Sequence, residues 1–364
     1  MGWHNYIKSK GLVFSNKSSL AIGVDIGSSS VKVMEMSESR GRYRIERFAV
    51  EQLPRNVVVE NTIADIERVG KAIRTAVSKS GTRRNYAVAA VAAAQAINKV
   101  INVAGGMSGS ELEQQIEVEA EHYIPYSIAE VNLDFEVLTP SIENPSNDEV
   151  MLAACRKEIV DERIAALQAA GLKPRVMEIT SLSNQRAFDL VAPSLPDGGV
   201  EKVVAIVDYG NTSSHLYVLH RRRLVYHRDY PFGGKSLTES IQQRFGISYS
   251  EAENKKRSGD LPENYRTDIL EPFVESMALE ANRAIQLFIS STQHTRVDYV
   301  FVTGGSAGLP GAVERIGTKT GINTRMAYPF STTKIGSAVS KDRLKRYAPV
   351  LFTACGLAMR GATK

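Results

Sequence analysis

The chain has 364 residues, 43% of them hydrophobic and 23% charged, which permits a sizeable interior and excludes a disordered or fibrous protein. Its 45 Lys and Arg face 40 Asp and Glu spread along the whole length, so the formal charge of +5 is too diffuse for a dedicated nucleic-acid binder. Cys155 and Cys355, read as lying in helical, Ala-rich surroundings, show no metal-ligand or secreted-disulfide spacing, and the longest apolar run, 87–94, falls far short of the ~20 residues of a membrane span. A reduced, cytosolic setting is expected.

Residues 1–17 mix Trp3, Tyr6, Ile7, Leu12, Val13 and Phe14 with Lys and His, the composition of a flexible leader or of a segment that touches a membrane interface or partner. Strands are predicted at 20–25, 31–36 and 43–50, a β-meander. Apolar residues between Ile63 and Val77 then recur at helical spacing up to a stop at Gly81. Residues 84–173 read as an inserted subdomain, with strands near 87–91, 99–103, 131–138 and 150–155 and helices at 110–122 and 157–170. Ser108, Ser110, Glu111 and Glu113 mark the start of the first of these helices.

The passage APSLPDGG at 192–199 marks the boundary between two halves, and a new meander starts at Val203, with Arg221, Arg222 and Arg223 as a solvated hairpin turn. Residues 236–290 are mostly helical, with Ile285, Phe288 and Ile289 on one face, before a buried strand at 299–303.

Each half opens with the same pattern: apolar strand, D-x-G-x-[ST]-S, apolar strand. In the first it is Asp25, Gly27, Ser28, Ser29 and Ser30, followed by Lys32; in the second it is Asp208, Gly210, Asn211, Thr212 and Ser213. Glycine lets the backbone come close to a phosphate, while hydroxyls and turn N–H groups supply donors. An Asp in each loop repels an anion unless a Mg²⁺ ion sits between them, held through water by Asp25 and Asp208, with phosphates completing its shell. One such loop is an ordinary hairpin; the matched pair argues for a phosphate ligand. A third element, Thr303, Gly304, Gly305, Ser306 and then Leu309 and Pro310, is a strand-to-helix glycine turn with its helix predicted to start near Pro310.

Paired loops followed by a Gly-Gly-Ser turn resemble the actin, sugar kinase and Hsp70 superfamily. The resemblance implies an α/β, actin-like two-lobed fold with duplicated mixed-sheet domains and ATP, with Mg²⁺, in the cleft between them. Gly233, Gly234, Lys235 and Thr238, with Ala252, Glu253 and Lys256, resemble segments of the cell-division protein FtsA, which implies that Gly234, Lys235, Glu253 and Lys256 approach base and ribose. Residues 22–36, 118–135 and 355–360 are similar to the PilM family of type IV pilus assembly proteins.

That likeness implies a leader at 1–17, a first lobe at 18–196 with a 1C insert at about 84–173, a second lobe at 197–344 with a 2B part at about 233–297, and a closing helix at 345–364. It implies a scaffold at the inner face of the inner membrane that binds the cytoplasmic tail of a PilN-like protein in a peptide groove between the first lobe's core and its inserted subdomain, with Tyr123, Ile124, Pro125 and Tyr126 as recognition residues. Ala92, Ala93, Ala94 and Gln95, and Val103 to Gly106, depart from the family pattern of the insert. No Gln or Glu for orienting an attacking water stands out near 178–185, so hydrolysis is expected to be slow or absent. The alternatives are a small-molecule kinase, which requires an Asp base between the lobes that neither Asp65 nor Asp134 supplies, and an FtsA-like filament protein, against which the stop after the closing helix argues.

Overall fold

The computed structural model describes residues 20–107, 109–140 and 146–362; the predicted leader and Ser108 lie outside the described residues. In chain order the first half runs β1 Ile22–Ile26, β2 Ser30–Ser39, β3 Arg42–Gln52, β4 Val58–Val59, β5 Thr62–Ile63, α1 Ile66–Ser80, β6 Tyr86–Val91, β7 Ala96–Ala104, α2 Ser110–Ala120, β8 Val131–Pro140, β9 Asn147–Arg156, α3 Lys157–Ala169, β10 Lys173–Ile179 and α4 Thr180–Val191. The second runs β11 Val203–Tyr209, β12 Ser214–His220, β13 Arg223–Tyr230, α5 Gly234–Phe245, α6 Tyr249–Ser258, α7 Glu271–Ser291, β14 Tyr299–Thr303, α8 Ala312–Thr320, β15 Asn323–Met326, β16 Lys334–Ile335, α9 Lys341–Tyr347 and α10 Phe352–Ala362.

Two mixed sheets carry the lobes, in the orders β10-β6-β1-β2-β3-β16 and β13-β12-β11-β14-β15. Both repeat a meander joined to a parallel strand, so the internal likeness of the sequence is a likeness of topology. On β11 the period of two is visible: Val204 and Ile206 enter the core shared with the first lobe, while Val203, Ala205, Val207 and Tyr209 face α5 and α7. Strands buried on both faces explain the near-continuous apolar runs.

Four expectations need correcting. The insert is narrower than 84–173: β6 pairs with β1 and β10 inside the main sheet, and α3 packs on α1, leaving β7, α2, β8 and β9 as a separate unit with strand order β7-β9-β8. The chain returns to the first lobe before 345, because Lys334 and Ile335 pair with Arg44 and Ile45. Cys155 lies in the strand β9, not a helix, whereas Cys355 is within α10. An apolar run bounded by Gly or Pro does not reveal which sheet a strand joins, since pairing is a long-range property. The Ser-rich helix start is also simpler than predicted: α2 begins after Gly109 with no side-chain cap.

The closing helix α10 lies against β1, β2 and α4. Its approach to α4 depends on Gly356, where a Cβ would lie within bonding distance of the Ser183 carbonyl oxygen. Gly356→Ala is therefore expected to destabilise the protein at the upper end of the roughly 1–3 kcal/mol typical of overpacking, or beyond it, in denaturant titration. Among the described residues no helix is long and apolar enough to cross a membrane.

Candidate functional site

The two repeated loops are tight turns of the same construction. Gly27 N–H donates to Ser30 O at 3.1 Å, and Gly210 N–H to Ser213 O at 3.0 Å. They face each other from opposite lobes, close enough for Thr212 Oγ1 to donate to Ser28 Oγ at 3.4 Å. A cleft of about 700 Å³ lies between them, lined by every residue predicted for nucleotide binding except Thr212 and Lys235. Those two open instead onto an adjoining cavity at the mouth, beside Arg55 and Tyr249.

The glycine turn after β14 forms one wall. Gly304 has φ +92, and a Cβ there would collide with Asp208 Oδ1, so the turn is closed around that carboxylate. Its N–H donates to Pro349 O at 2.8 Å, which anchors the turn to the segment before α10. Gly305 differs: a Cβ there meets nothing within 4 Å. Its bare backbone faces open cleft and suits the close approach of a ligand.

Asp25 Oδ2 is paired with Lys32 Nζ at 3.1 Å. Burial raises the pKa of Asp208, with His215 and Lys32 opposing and Asp25 adding to the rise. Among the described residues no group of three or more His, Cys, Asp and Glu side chains is arranged to hold a metal ion. Two opposed carboxylates nevertheless fit Mg²⁺ arriving with its phosphates, which brings its own oxygens and keeps water. Lys256 Nζ is tied to Thr238 Oγ1 at 2.6 Å, Glu253 Oε2 at 2.7 Å and Gly234 O at 3.3 Å, filling its three donors. It holds α6 to α5 at the cleft wall and is not a loose phosphate hook.

His215 is a site residue that the sequence reading missed. Its Nδ1 lies 2.7 Å from Asp229 Oδ1 and its Nε2 3.2 Å from Ser213 Oγ. Burial would lower its pKa, but the hydrogen bond with Asp229 and the charge of Asp208 raise it. Its signal was in the sequence: two residues past Ser213 on a strand, it shares that residue's face. Arg257 was also missed; it joins the lobes by donating to Gln52 Oε1 at 2.7 Å.

A second cavity of about 700 Å³ opens between the first lobe and the insert. Asp134, Phe135 and Glu136 of β8 face Val176 to Ile179 of β10 across it, with Met151, Arg186, Asp189 and Arg360 around them. β8 and β10 are each an edge strand of their own sheet. In the cavity's wall, Arg186 clamps the buried Glu178 with two bonds of 2.6 and 2.8 Å. The predicted recognition residues are not in this groove. Ile124, 5% exposed, closes the core of the insert. Tyr123 and Tyr126 are exposed, with Lys99 and Arg156 over their rings, and neither they nor Pro125 line the groove.

Two lobes with duplicated loops around a central cleft, and a helix closing back on the first sheet, define the class: this is an actin-like fold. The ethanolamine utilization protein EutJ from Carboxydothermus hydrogenoformans shares it with a TM-score of 0.54 at 17% identity, over 96% of this chain and 92% of that one. So does a diol dehydratase-reactivating factor in nucleotide-free form, with TM-score 0.56 at 9% identity, over 95% and 100%. Within that class, the family described as type IV pilus assembly protein PilM matches residues 23–362, and the chain belongs to it. A solved PilM-PilN type IV pilus biogenesis complex is similar over 94% of this chain and 99% of that one, with 26% identity and a TM-score of 0.79.

Proposed function

We propose that this protein is a nucleotide-binding scaffold of the type IV pilus assembly platform, stationed at the cytoplasmic face of the inner membrane. In this reading it holds the cytoplasmic tail of a PilN-like membrane protein in the groove between the first lobe and the insert. The observation that carries the proposal is the pair of edge strands, β8 and β10, on opposite walls of an apolar cavity. An extended tail laid between them gains main-chain hydrogen bonds from an edge, and side-chain pockets give it specificity. The resemblance to a structure described as a PilM-PilN complex supports this choice of partner. The groove is the one expected between first lobe and insert, but the residues proposed to line it are those of β8 and β10 and not the Tyr123 to Tyr126 segment.

ATP with Mg²⁺ is the ligand proposed for the cleft. Gly305, the turn hydroxyls and Lys32 offer contacts to phosphates, and Asp25 and Asp208 to the hydrated metal; bound Mg²⁺ would neutralise phosphate charge. Hydrolysis is proposed to be slow. His215 has both ring nitrogens engaged, Nδ1 by Asp229 Oδ1 and Nε2 by Ser213 Oγ, which leaves neither free to take the proton of an attacking water. Immobilising the tail of the neighbouring PilN-like protein and passing the purified chain over it tests the scaffold reading. Specific retention is expected, and passage without retention would contradict it.

The groove has its own pH signature. Burial raises the Glu136 carboxyl to about 7, with Arg360 opposing and Asp134 adding. Between the unfolded value near 4.5 and about 7 the folded protein holds the proton more tightly, so this group makes stability fall as pH rises through that window. Glu136→Gln is expected to remove a fall on the order of 1 kcal/mol, solvent screening included, seen as a flatter stability profile between those pH values.

A further inference from the structure

The buried face of α3 consists of Ile159, Val160, Ala166 and Leu167, and in the middle of that apolar stripe stands Arg163, 3% exposed. An arginine here is costly, because a cation taken out of water needs acceptors around it. Arg163 has one in hand: its Nη2 donates to Asn61 O at 2.9 Å. Its Nε has no acceptor among the described residues. The side chain lines the nucleotide cleft, sharing the first-lobe wall with Asp25, Asn61 and Thr180. Asp25 is the strongest favourable charge acting on it, but that carboxylate is already paired with Lys32.

The geometry points to a role that rests on the nucleotide reading above and extends it: Arg163 recognises the terminal phosphate of a nucleoside triphosphate, its Nε–H donating to a phosphate oxygen directly or through one water. In the nucleotide reading above, the paired loops take the phosphates between the lobes, and Glu253 and Lys256, on the second-lobe wall, lie toward base and ribose. Arg163 stands on the opposite, first-lobe wall with Asp25, the carboxylate offered to the metal, and so on the phosphate side of the cleft. A guanidinium is suited to the task, being always charged and carrying its donors in a planar fork that matches phosphate. Its bond to Asn61 holds the tip of the β4–β5 turn, where Glu60 and Asn61 both have positive φ, at the mouth of the cleft.

Calorimetry on the full chain with Mg²⁺ and either a non-hydrolysable ATP analogue or ADP tests this. The wild type is expected to prefer the triphosphate. Arg163→Gln is expected to lose at least about tenfold of that preference, the size of a hydrogen bond to a charged group, while binding ADP as before. Arg163→Lys, which keeps the charge and lacks the fork, is expected to lose most of it too. An equal loss for both nucleotides would assign Arg163 to holding Asn61 alone, and an intact preference would likewise overturn the inference. A wild type that binds neither nucleotide overturns the cleft reading and this inference with it. Should Arg163→Gln fail to fold, the Nε–H resonance of Arg163 in the wild type decides: a shift with the triphosphate analogue beyond that with ADP is expected, and identical spectra would overturn the assignment.

Discussion

Mg²⁺-ATP at 100 times its Kd is expected to raise the unfolding free energy by about 2.7 kcal/mol, and Gly305→Val to abolish that gain without lowering the stability of the ligand-free protein. The two halves of this result have separate causes. Stabilisation follows from binding to the folded state alone. The variant is sharp because a Cβ at Gly305 meets no protein atom within 4 Å and the residue does not have positive φ, so valine disturbs no packing. What it fills is the space beside the glycine turn into which Asp208, Ser306 and Leu309 also face. Asp25→Ala is expected to weaken binding as well, since it leaves Lys32 without its partner and removes one of two carboxylates available to the metal. Differential scanning fluorimetry with and without ligand reads all three proteins. An equal shift in wild type and Gly305→Val would move the nucleotide away from the glycine turn.

The cleft was legible in the sequence because its parts are local. Each loop is a hairpin whose Asp, Gly and hydroxyl residues lie within a few positions of one another, and duplication lifted the pattern above chance. His215 was missed although adjacent, because a lone histidine on a strand gains meaning only from Asp229 on the next strand. Arg163 was invisible for a related reason: helical spacing marks its position as buried, but not that the buried face ends at a cleft. The groove was expected between the first lobe and the insert, but which residues form it was the least legible part. Its walls come from β8 and β10, some forty residues apart in sequence and in different sheets. The Tyr123 to Tyr126 segment, by contrast, drew attention through its likeness to the family and its aromatic composition. Ile124 shows that an apolar residue beside a proline is as readily the plug of a small core.

The second large effect concerns that groove. Met151 projects from the central strand β9 between buried Val150 and Leu152; it lines the groove, is only half-buried, and belongs to none of the hydrophobic clusters. Met151→Glu therefore places a charge in the path of the tail with little disturbance of the fold. A loss of at least about 100-fold in tail affinity is expected, the scale of removing a central contact. Tyr126→Ala is expected to leave tail affinity unchanged, because Tyr126 stands outside the groove.

Titration calorimetry of the PilN-like tail peptide into wild type, Met151→Glu and Gly305→Val tests the scaffold claim most directly. The account predicts binding to the wild type and to Gly305→Val, and none to Met151→Glu while that variant still binds Mg²⁺-ATP. Full tail affinity in a folded Met151→Glu protein would contradict it.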